Sequence, residues 1–203
     1  MMTRNRLLAA LFACAMAAPI WAAEADNSLV AWGWDGYGLS NIPAGADFKA
    51  FAAGGDHNLA IRTDGSLVGW GYNAFGQTNV PAGNDFVAIA GGVAHSLAIR
   101  SNGTLVGWGS NGLGQTNVPT GGGITAIAAG LIHSLSLKSN GSLVGWGANF
   151  FGQTNAPAGR FLTISAGGDH NLALREIPEP SVLTLAALAT SAVGFHRRSS
   201  RKA

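Results

Sequence analysis

Short apolar stretches, each ended by a glycine-containing turn, follow one another along the middle of the chain. Residues 60–62 and 67–68 flank the turn Thr63-Asp64-Gly65, and Ser-Asn-Gly turns follow at 101–103 and 139–141. Asp-Gly or Asn-Gly between apolar runs is the strongest short signal for a β-hairpin, because glycine accepts the positive φ that the turn needs. No segment of this region shows a 3.6-residue apolar period without glycine. We therefore predict an all-β body with further strands at 48–53, 86–90, 124–129 and 161–166.

The body repeats itself four times. Ser-Leu-Val-Ala-Trp-Gly begins at Ser28 and recurs with small changes at 66, 104 and 142, a period of 38 residues. Repeats of this length indicate an array whose units cannot bury their apolar faces alone. The predicted domain covers 26–176, with units 28–65, 66–103, 104–141 and 142–176, and the last unit is one residue shorter before its histidine.

Two motifs in each unit resemble a known family. Residues 73–77 read Asn-Ala-Phe-Gly-Gln after a Trp-Gly pair, and residues 92–99 read Gly-Val-Ala-His-Ser-Leu-Ala-Ile. They resemble the repeats of the regulator of chromosome condensation family, over the span from Ser28 to Arg175. The resemblance implies a β-propeller-like array with one blade per repeat. Members of the family usually close a ring of seven, so four copies leave open a closed four-blade ring, an open arc, or a ring completed by a second chain.

The first 25 residues have the pattern of a secretory signal peptide, which would form an N-terminal signal helix. Arg4 and Arg6 precede an uncharged apolar stretch at 7–20, and Ala23-Glu24-Ala25 offers the small residues that signal peptidase accepts. A lipoprotein signal ending at Cys14 is the alternative, with a shorter apolar region. Cys14 is the only cysteine, so a chain that begins at Asp26 has no disulfide and no thiol nucleophile.

The last 27 residues form a second predicted targeting signal. Pro178-Glu179-Pro180 precedes an uncharged stretch at 181–195, and a basic end with Arg197 and Arg198 follows. Fifteen helical residues span about 22 Å, less than the roughly 30 Å hydrocarbon core, and a buried C-terminal helix of the domain is the alternative. The three-part order resembles the PEP-CTERM sorting signal of Gram-negative bacteria. For 177–203 the resemblance implies a short transmembrane helix at 181–195, transient tethering to the inner membrane, processing by an exosortase, and delivery to the cell surface or extracellular matrix.

Composition and charge narrow the class of partner. The chain of 203 residues is 47% hydrophobic, only 11% charged, and contains 30 glycines. Its formal charge of +2 comes from the two ends, because the span from Asp26 to Glu176 holds six bases and eight acids. A nucleic-acid-binding protein needs a basic stripe on its working face, so we predict no nucleic-acid partner.

The residues that recur in every copy are predicted to hold the scaffold. A metal shared by the repeated histidines would need each ring nitrogen within about 2.1 Å of it, and equivalent atoms of adjacent blades come that close only on the axis of the array. We therefore expect the repeated histidines to bond neighbouring backbone rather than a metal. We expect the repeated tryptophans to pack between blades, with each indole N–H bonded to a backbone acceptor. The residues concerned are His57, His95, His133 and His170, with Trp32, Trp70, Trp108 and Trp146.

Ligand binding is expected where the copies differ. The position after each Trp-Gly is Trp34, Tyr72, Ser110 or Ala148, followed by Asp35 or an asparagine such as Asn73. Aromatic side chains beside amides suit sugar stacking or a protein hot spot, and the alternative is that they cover the loop core. Trp34, Tyr72, Phe150, Asp35 and Asn73 are therefore the candidate ligand-binding residues. The next apolar position, Tyr37, Phe75, Leu113 or Phe151, is expected to lie in the core.

No pair of unrepeated acid and base residues stands out, so we predict a protein without enzymatic activity or cofactor. The favoured function is a surface or matrix component that contacts exopolysaccharide or other surface proteins, with homo-oligomers possible. A secreted protein inhibitor or ligand-binding propeller is the alternative.

Overall fold

The computed structural model describes residues 29–45 and 47–177, and all regular structure within these ranges is β. Eleven strands form four antiparallel sheets. Each complete sheet takes its first two strands from one repeat unit and its third strand from the next unit. The expected all-β, propeller-like repeat array is confirmed. The strands are β1 (Phe48–Ala53), β2 (His57–Arg62), β3 (Leu67–Gly71), β4 (Phe86–Gly91), β5 (His95–Arg100), β6 (Leu105–Gly109), β7 (Ile124–Ala129), β8 (His133–Lys138), β9 (Leu143–Gly147), β10 (Phe161–Ala166) and β11 (Asn171–Arg175).

Both predicted targeting signals lie outside the described residues. They comprise the signal helix with Ala23 and Ala25, and the sorting signal with Pro178, Glu179, Pro180, Arg197 and Arg198. Within 29–45 and 47–177, no helix has the length and apolar character needed to cross a membrane.

Each complete sheet is a three-stranded meander. In the first sheet β2 pairs on one side with β1 and on the other with β3, and His57 lies opposite Gly71. The same register recurs in the second and third sheets, together with a register shift near the start of each first strand. Gly65 has a φ of 88° in the turn before β3, which is the left-handed conformation that the Asp-Gly pair predicted.

The core lies between successive sheets. Ile61 and Leu67 of the first sheet pack against Phe86 and Ala98 of the second, and all four side chains are buried. A second cluster joins the next two sheets through Leu97, Ile99, Leu105 and Ile124. A sheet therefore buries its apolar face only when the following sheet covers it.

Close contact between the sheets requires glycine at one repeated position. A Cβ atom built on Gly92 would lie 2.8 Å from the carbonyl oxygen of Gly130 and would collide with the His95 ring. The equivalent glycines, Gly54 and Gly130, meet the same two obstacles. The Gly-x-x-His spacing is thus a packing requirement of the array.

The array is open at both ends. The fourth sheet contains only β10 and β11, and the third-strand sequence at Leu29–Gly33 forms no strand. Leu172 of β11 is 68% exposed, whereas the equivalent Leu135 of β8 is 3% exposed. Within one chain, the described residues therefore form an open arc rather than a closed four-blade ring.

Candidate functional site

The loop that leaves each third strand is held by its own polar residues. Asn73 accepts the Thr78 N–H at Oδ1 over 3.0 Å and donates from Nδ2 to Asn79 Oδ1 over 2.8 Å. Asp35 takes the same position in the first copy and accepts both the N–H and the hydroxyl of Ser40. The hydroxyl bond, followed by the backbone bond, lowers the pKa of Asp35. The polar groups of Asp35 and Asn73 are therefore engaged within their own loops.

A buried glutamine side chain forms a hydrogen bond to the backbone of the same loop. Gln77 Oε1 accepts the backbone N–H of Phe75 over 3.0 Å, and its own backbone carbonyl faces the next sheet. Gln115 and Gln153 repeat the side-chain bond at 2.9 and 2.8 Å. The repeated Gly-Gln pair thus fixes the loop and presents a carbonyl acceptor.

The backbone carbonyl of the loop glutamine joins its own loop to the following sheet through hydrogen bonds. Gln77 O accepts the Trp108 indole N–H over 2.8 Å and the Ser96 hydroxyl over 2.9 Å. In the next junction Gln115 O accepts Trp146 and Ser134 in the same way. At the first sheet, Leu39 O of the loop that precedes it accepts Trp70 and Asn58 in the same way. Trp70, Trp108 and Trp146 therefore bond backbone acceptors.

The histidines reach the sheet that follows rather than backbone. His57 Nε2 lies 2.9 Å from Ser96 Oγ, His95 Nε2 lies 3.0 Å from Ser134 Oγ, and His133 Nε2 lies 2.7 Å from Asn171 Oδ1. Ser96 donates its single hydroxyl proton to Gln77 O, so it must accept the proton of His57 Nε2. The amide oxygen of Asn171 is only an acceptor, which assigns His133 the same tautomer.

Burial keeps His57 and His95 neutral. In the described part of the chain, the Nδ1 atoms of His57, His95 and His133 have no hydrogen-bond partner. Burial lowers the pKa of His57 to about 4. Burial and then the neighbouring His57 and His133 lower the pKa of His95 to about 4. The same ranges contain no group of three or more His, Cys, Asp or Glu residues placed to hold a metal ion.

The repeated residues at the two ends have different surroundings. Trp32 is 87% exposed, and among the described residues no sheet precedes the first repeat. His170 is also exposed, and no sheet follows the fourth within 47–177. These two residues carry the repeat sequence without the contacts of their counterparts.

An apolar side chain is exposed at the same loop position of every repeat. The expectation that this position lies in the core is wrong, because the loop turns it outward while the glutamine fills the space beneath. We call these residues the apolar row, and their exposed fractions are Tyr37 46%, Phe75 56%, Leu113 44% and Phe151 76%.

Part of the predicted aromatic patch joins this row. Tyr37 makes an edge contact with Trp34 at 5.2 Å between ring centroids and lies 4.5 Å from Tyr72. Tyr72 in turn meets Phe75 edge-on at 6.2 Å. Phe150 is 69% exposed beside Phe151, and no aromatic pair within the described ranges links it to this group. The structure therefore brings Trp34 and Tyr72 together and leaves Phe150 apart.

Several basic side chains of the body are held by acids and aromatic rings. Arg62 lies 2.7 Å from Asp47, Arg100 pairs with Asp85, and Arg160 lies 2.6 Å from Glu176. The Arg100 guanidinium also lies 4.4 Å from the centroid of the Phe86 ring. These three arginines are therefore engaged in ion pairs within the chain.

Comparison with known proteins agrees with this architecture. A family model for the regulator of chromosome condensation (RCC1) repeat matches residues 48–77, 86–115 and 124–153. The chain carries RCC1-like repeats. Each match begins at the first strand of a complete sheet and ends at the loop glutamine.

Three solved structures share the fold of these RCC1-like repeats. Prp20p of Saccharomyces cerevisiae is 20% identical over 80% of this chain and 54% of that chain, with a TM-score of 0.59. Yeast RCC1 (Prp20) bound to Kap60 is 21% identical over 66% and 43%, with a TM-score of 0.58. The ectodomain of the Physcomitrella patens receptor kinase CR4 is 25% identical over 77% and 49%, with a TM-score of 0.61.

The chain therefore spans about half the length of the solved structures that it matches. No curated protein shows a significant sequence match to it.

Proposed function

We propose that this chain is an exported binding protein without enzymatic activity, which recognises another protein outside the cell through its apolar row. The observation that carries the proposal is the exposure of Tyr37, Phe75, Leu113 and Phe151 at one repeated position. Contiguous exposed apolar patches mark interaction sites. Tyr37 and Phe75 of the row form such a patch with Trp34 and Tyr72. Aromatic residues are also enriched among those that dominate protein interfaces.

The chemistry around the row favours a protein over a polysaccharide. Recognition of a sugar needs free polar groups beside the aromatic ring, to bond its hydroxyls. Asp35 and Asn73, the polar residues nearest the aromatic side chains in sequence, are engaged with Ser40, Thr78 and Asn79. Exopolysaccharide is therefore the second candidate ligand, supported by the ring of Trp34, which is 64% exposed.

Structural relatives support protein binding in general. Yeast RCC1 (Prp20) has been crystallised with Kap60. The binding properties of Prp20p towards Gsp1p and histones have been studied together with its structure. For this chain we propose a different partner, because its described body is not basic and its predicted leader directs it out of the cell. Nucleic acid is not among the proposed ligands.

The proposed location rests on the two predicted targeting signals. Signal peptidase would cleave after Ala25, and an exosortase would act near Pro178-Glu179-Pro180 while the 181–195 segment holds the chain in the inner membrane. The body would then reach the cell surface or extracellular matrix of a Gram-negative bacterium.

A binding measurement on cells tests this function. Fluorescently labelled chain is added to washed cells of the source bacterium, and binding isotherms are recorded for the wild type and for the double variant Phe75→Ser, Phe151→Ser. We expect the variant to lose about tenfold or more in affinity, as residues central to an interface do. Val87→Ser is the matched control, because Val87 is 49% exposed but lies on a strand away from the loops.

Treatment of the cells separates the two ligands. Protease treatment should abolish binding if the partner is a protein, and periodate oxidation should abolish it if the partner is a polysaccharide. Nanomolar binding to one purified protein would instead support the inhibitor function. Equal binding by the double variant and the wild type would contradict a role for the apolar row.

A further inference from the structure

In the described part of the chain, one end of the array has a sheet without its third strand, and the other end has a third-strand sequence that pairs with no sheet. Three sheets have three strands, whereas the fourth has only β10 and β11. Residues 29–33 read Leu-Val-Ala-Trp-Gly, the sequence of a third strand apart from one alanine, and they belong to no sheet. Within residues 29–45 and 47–177, the array therefore has an unpaired third-strand sequence at one end and a sheet without a third strand at the other.

At the end formed by the fourth repeat, an apolar face is uncovered. Leu172 and Leu174 are 68% and 58% exposed, whereas their equivalents in β8, Leu135 and Leu137, are 3% and 5% exposed beneath the following sheet. A groove of about 470 Å³ runs between β11 and the loop at 151–157. In the complete sheets this space is where the third strand lies.

At the end formed by the first repeat, the opposite face is uncovered. Phe51 of β1 is 68% exposed, while Ile89, its equivalent in β4, packs against the core between the first two sheets. A groove of about 340 Å³ lies between residues 29–32 and the first sheet. Val30 and Trp32 line this groove and are 66% and 87% exposed.

Polar groups at the two ends are complementary in the same way. Gln153 O accepts Asn171 Nδ2 over 2.7 Å, but the tryptophan that completes the equivalent acceptors at Gln77 and Gln115 has no counterpart there. Trp32 occupies that position of the repeat at the other end. His170 likewise precedes no sheet, while Asn58 donates Nδ2 to Leu39 O and keeps its amide oxygen as an acceptor, as Asn171 does for His133.

We propose that two copies of the chain close one ring, in which Leu29–Gly33 of each copy forms the third strand of the other copy's fourth sheet. The register follows from the complete sheets, where His57 lies opposite Gly71 and Leu59 opposite Gly69. His170 then lies opposite Gly33 of the second copy, and Leu172 opposite Ala31. Trp32 donates to Gln153 O across the junction, and His170 donates to Asn58 Oδ1.

A second copy fits better than the chain's own first end. The chain covers 43% to 54% of the length of three solved relatives, at TM-scores of 0.58 to 0.61, so two copies supply about the length of one relative. Two such arcs contain eight repeats, which lies within the range of known propellers. A two-fold axis then generates two identical junctions, and every sheet has three strands. This ring is independent of the ligand that the apolar row binds.

Disulfide trapping of single-cysteine chains tests the ring. In a Cys14→Ser background, Val30→Cys and Ala173→Cys are made separately, because the equivalent Val68 and Ala60 are paired across the complete sheet. Paired antiparallel residues lie at a distance that a disulfide can span. Full-length chains of the two variants are mixed, exchanged under mild reduction and reoxidised. We expect a covalent heterodimer on a non-reducing gel, whereas Thr63→Cys mixed with Ala173→Cys should give only the background of random collision.

Solution mass provides the second measurement. Light scattering of the full chain should give the mass of two copies, and Trp32→Ala with Leu172→Asp should reduce it to one copy without loss of the β-sheet circular dichroism. A monomeric wild type, or no covalent heterodimer above the Thr63→Cys background, would overturn the proposal. A ladder of higher oligomers would overturn it in favour of an open assembly. A wild type that dimerises but does not bind cells, or a Phe75→Ser, Phe151→Ser variant that dimerises and binds as the wild type does, would instead count against the proposed function alone.

Discussion

His95 donates from Nε2 to the hydroxyl of Ser134 across the boundary between the second and third sheets, over 3.0 Å. The Ser134 hydroxyl donates a hydrogen bond to Gln115 O, which also accepts one from the Trp146 indole N–H. All of these groups are therefore satisfied only when the two sheets are in contact. The polar residues of the repeat thus specify how one sheet is placed on the next, while the apolar clusters supply the burial.

Ser134→Ala should destabilise the fold. The substitution leaves the buried His95 Nε2 proton without an acceptor, while Gln115 O keeps its bond to Trp146. An unsatisfied buried donor costs about 1–3 kcal/mol, and urea unfolding should show a loss of this size. Ser142→Ala removes a hydroxyl that bonds Asn140 in an exposed turn, and it should change stability by less than about 0.5 kcal/mol. Equal effects of the two substitutions would contradict the role assigned to Ser134.

Stability should fall as the pH is lowered from about 6.5 to about 4. The pKa of His57 and of His95 is about 4 in the folded chain, against an ordinary value of 6.5, so the unfolded chain binds more protons in this interval. The stabilisation is fully present above pH 6.5 and is lost as the pH falls towards 4. Each histidine accounts for about 3 kcal/mol by this linkage.

Urea unfolding at a series of pH values measures this effect. His95→Gln keeps a donor but removes one titrating ring, so its free energy of unfolding should fall less steeply with acid than that of the wild type. Ser142→Ala, in an exposed turn, removes no titrating group and should keep the wild-type slope. A wild-type free energy that is constant between pH 7 and pH 4.5 would be inconsistent with buried neutral histidines.

Gly92→Ala should separate two sheets. The added methyl group meets the carbonyl oxygen of Gly130 and the His95 ring, both of which are fixed by packing. Overpacking of this kind costs about 1–3 kcal/mol, and thermal unfolding should register it as a lower midpoint. Gly112→Ala is the matched control, because nothing lies within 4 Å of its Cβ position. If both variants melt at the wild-type temperature, glycine is not required at position 92.

Much of the fold could be predicted from the sequence because its signals are local. The Asp-Gly and Asn-Gly turns mark the hairpins, and the 38-residue period marks the sheets. The environment of a repeated residue could not be predicted, since it depends on whether a neighbouring sheet is present. Trp32 and Trp108 share one sequence motif, yet only Trp108 has a preceding sheet that supplies its acceptor, Gln77 O.

Prediction of the candidate site was less complete. Phe75 and its equivalents look like core residues in an apolar pattern, but the pattern does not show that Gln77 fills the space beneath the loop. The partners of the histidines were also missed, although a serine or asparagine directly follows every one of them. The repetition of that polar residue was the available signal.

We propose that each repeat separates a polar scaffold from an apolar row that binds the partner. Cell-binding affinity and urea stability, measured together for Phe75→Ser with Phe151→Ser and for Ser134→Ala, test this separation. The row variant should lose binding at unchanged stability, while the Ser134 variant should lose stability and bind normally under conditions where it is folded. A row variant that unfolds early, or a Ser134 variant that is fully folded but does not bind, would contradict it.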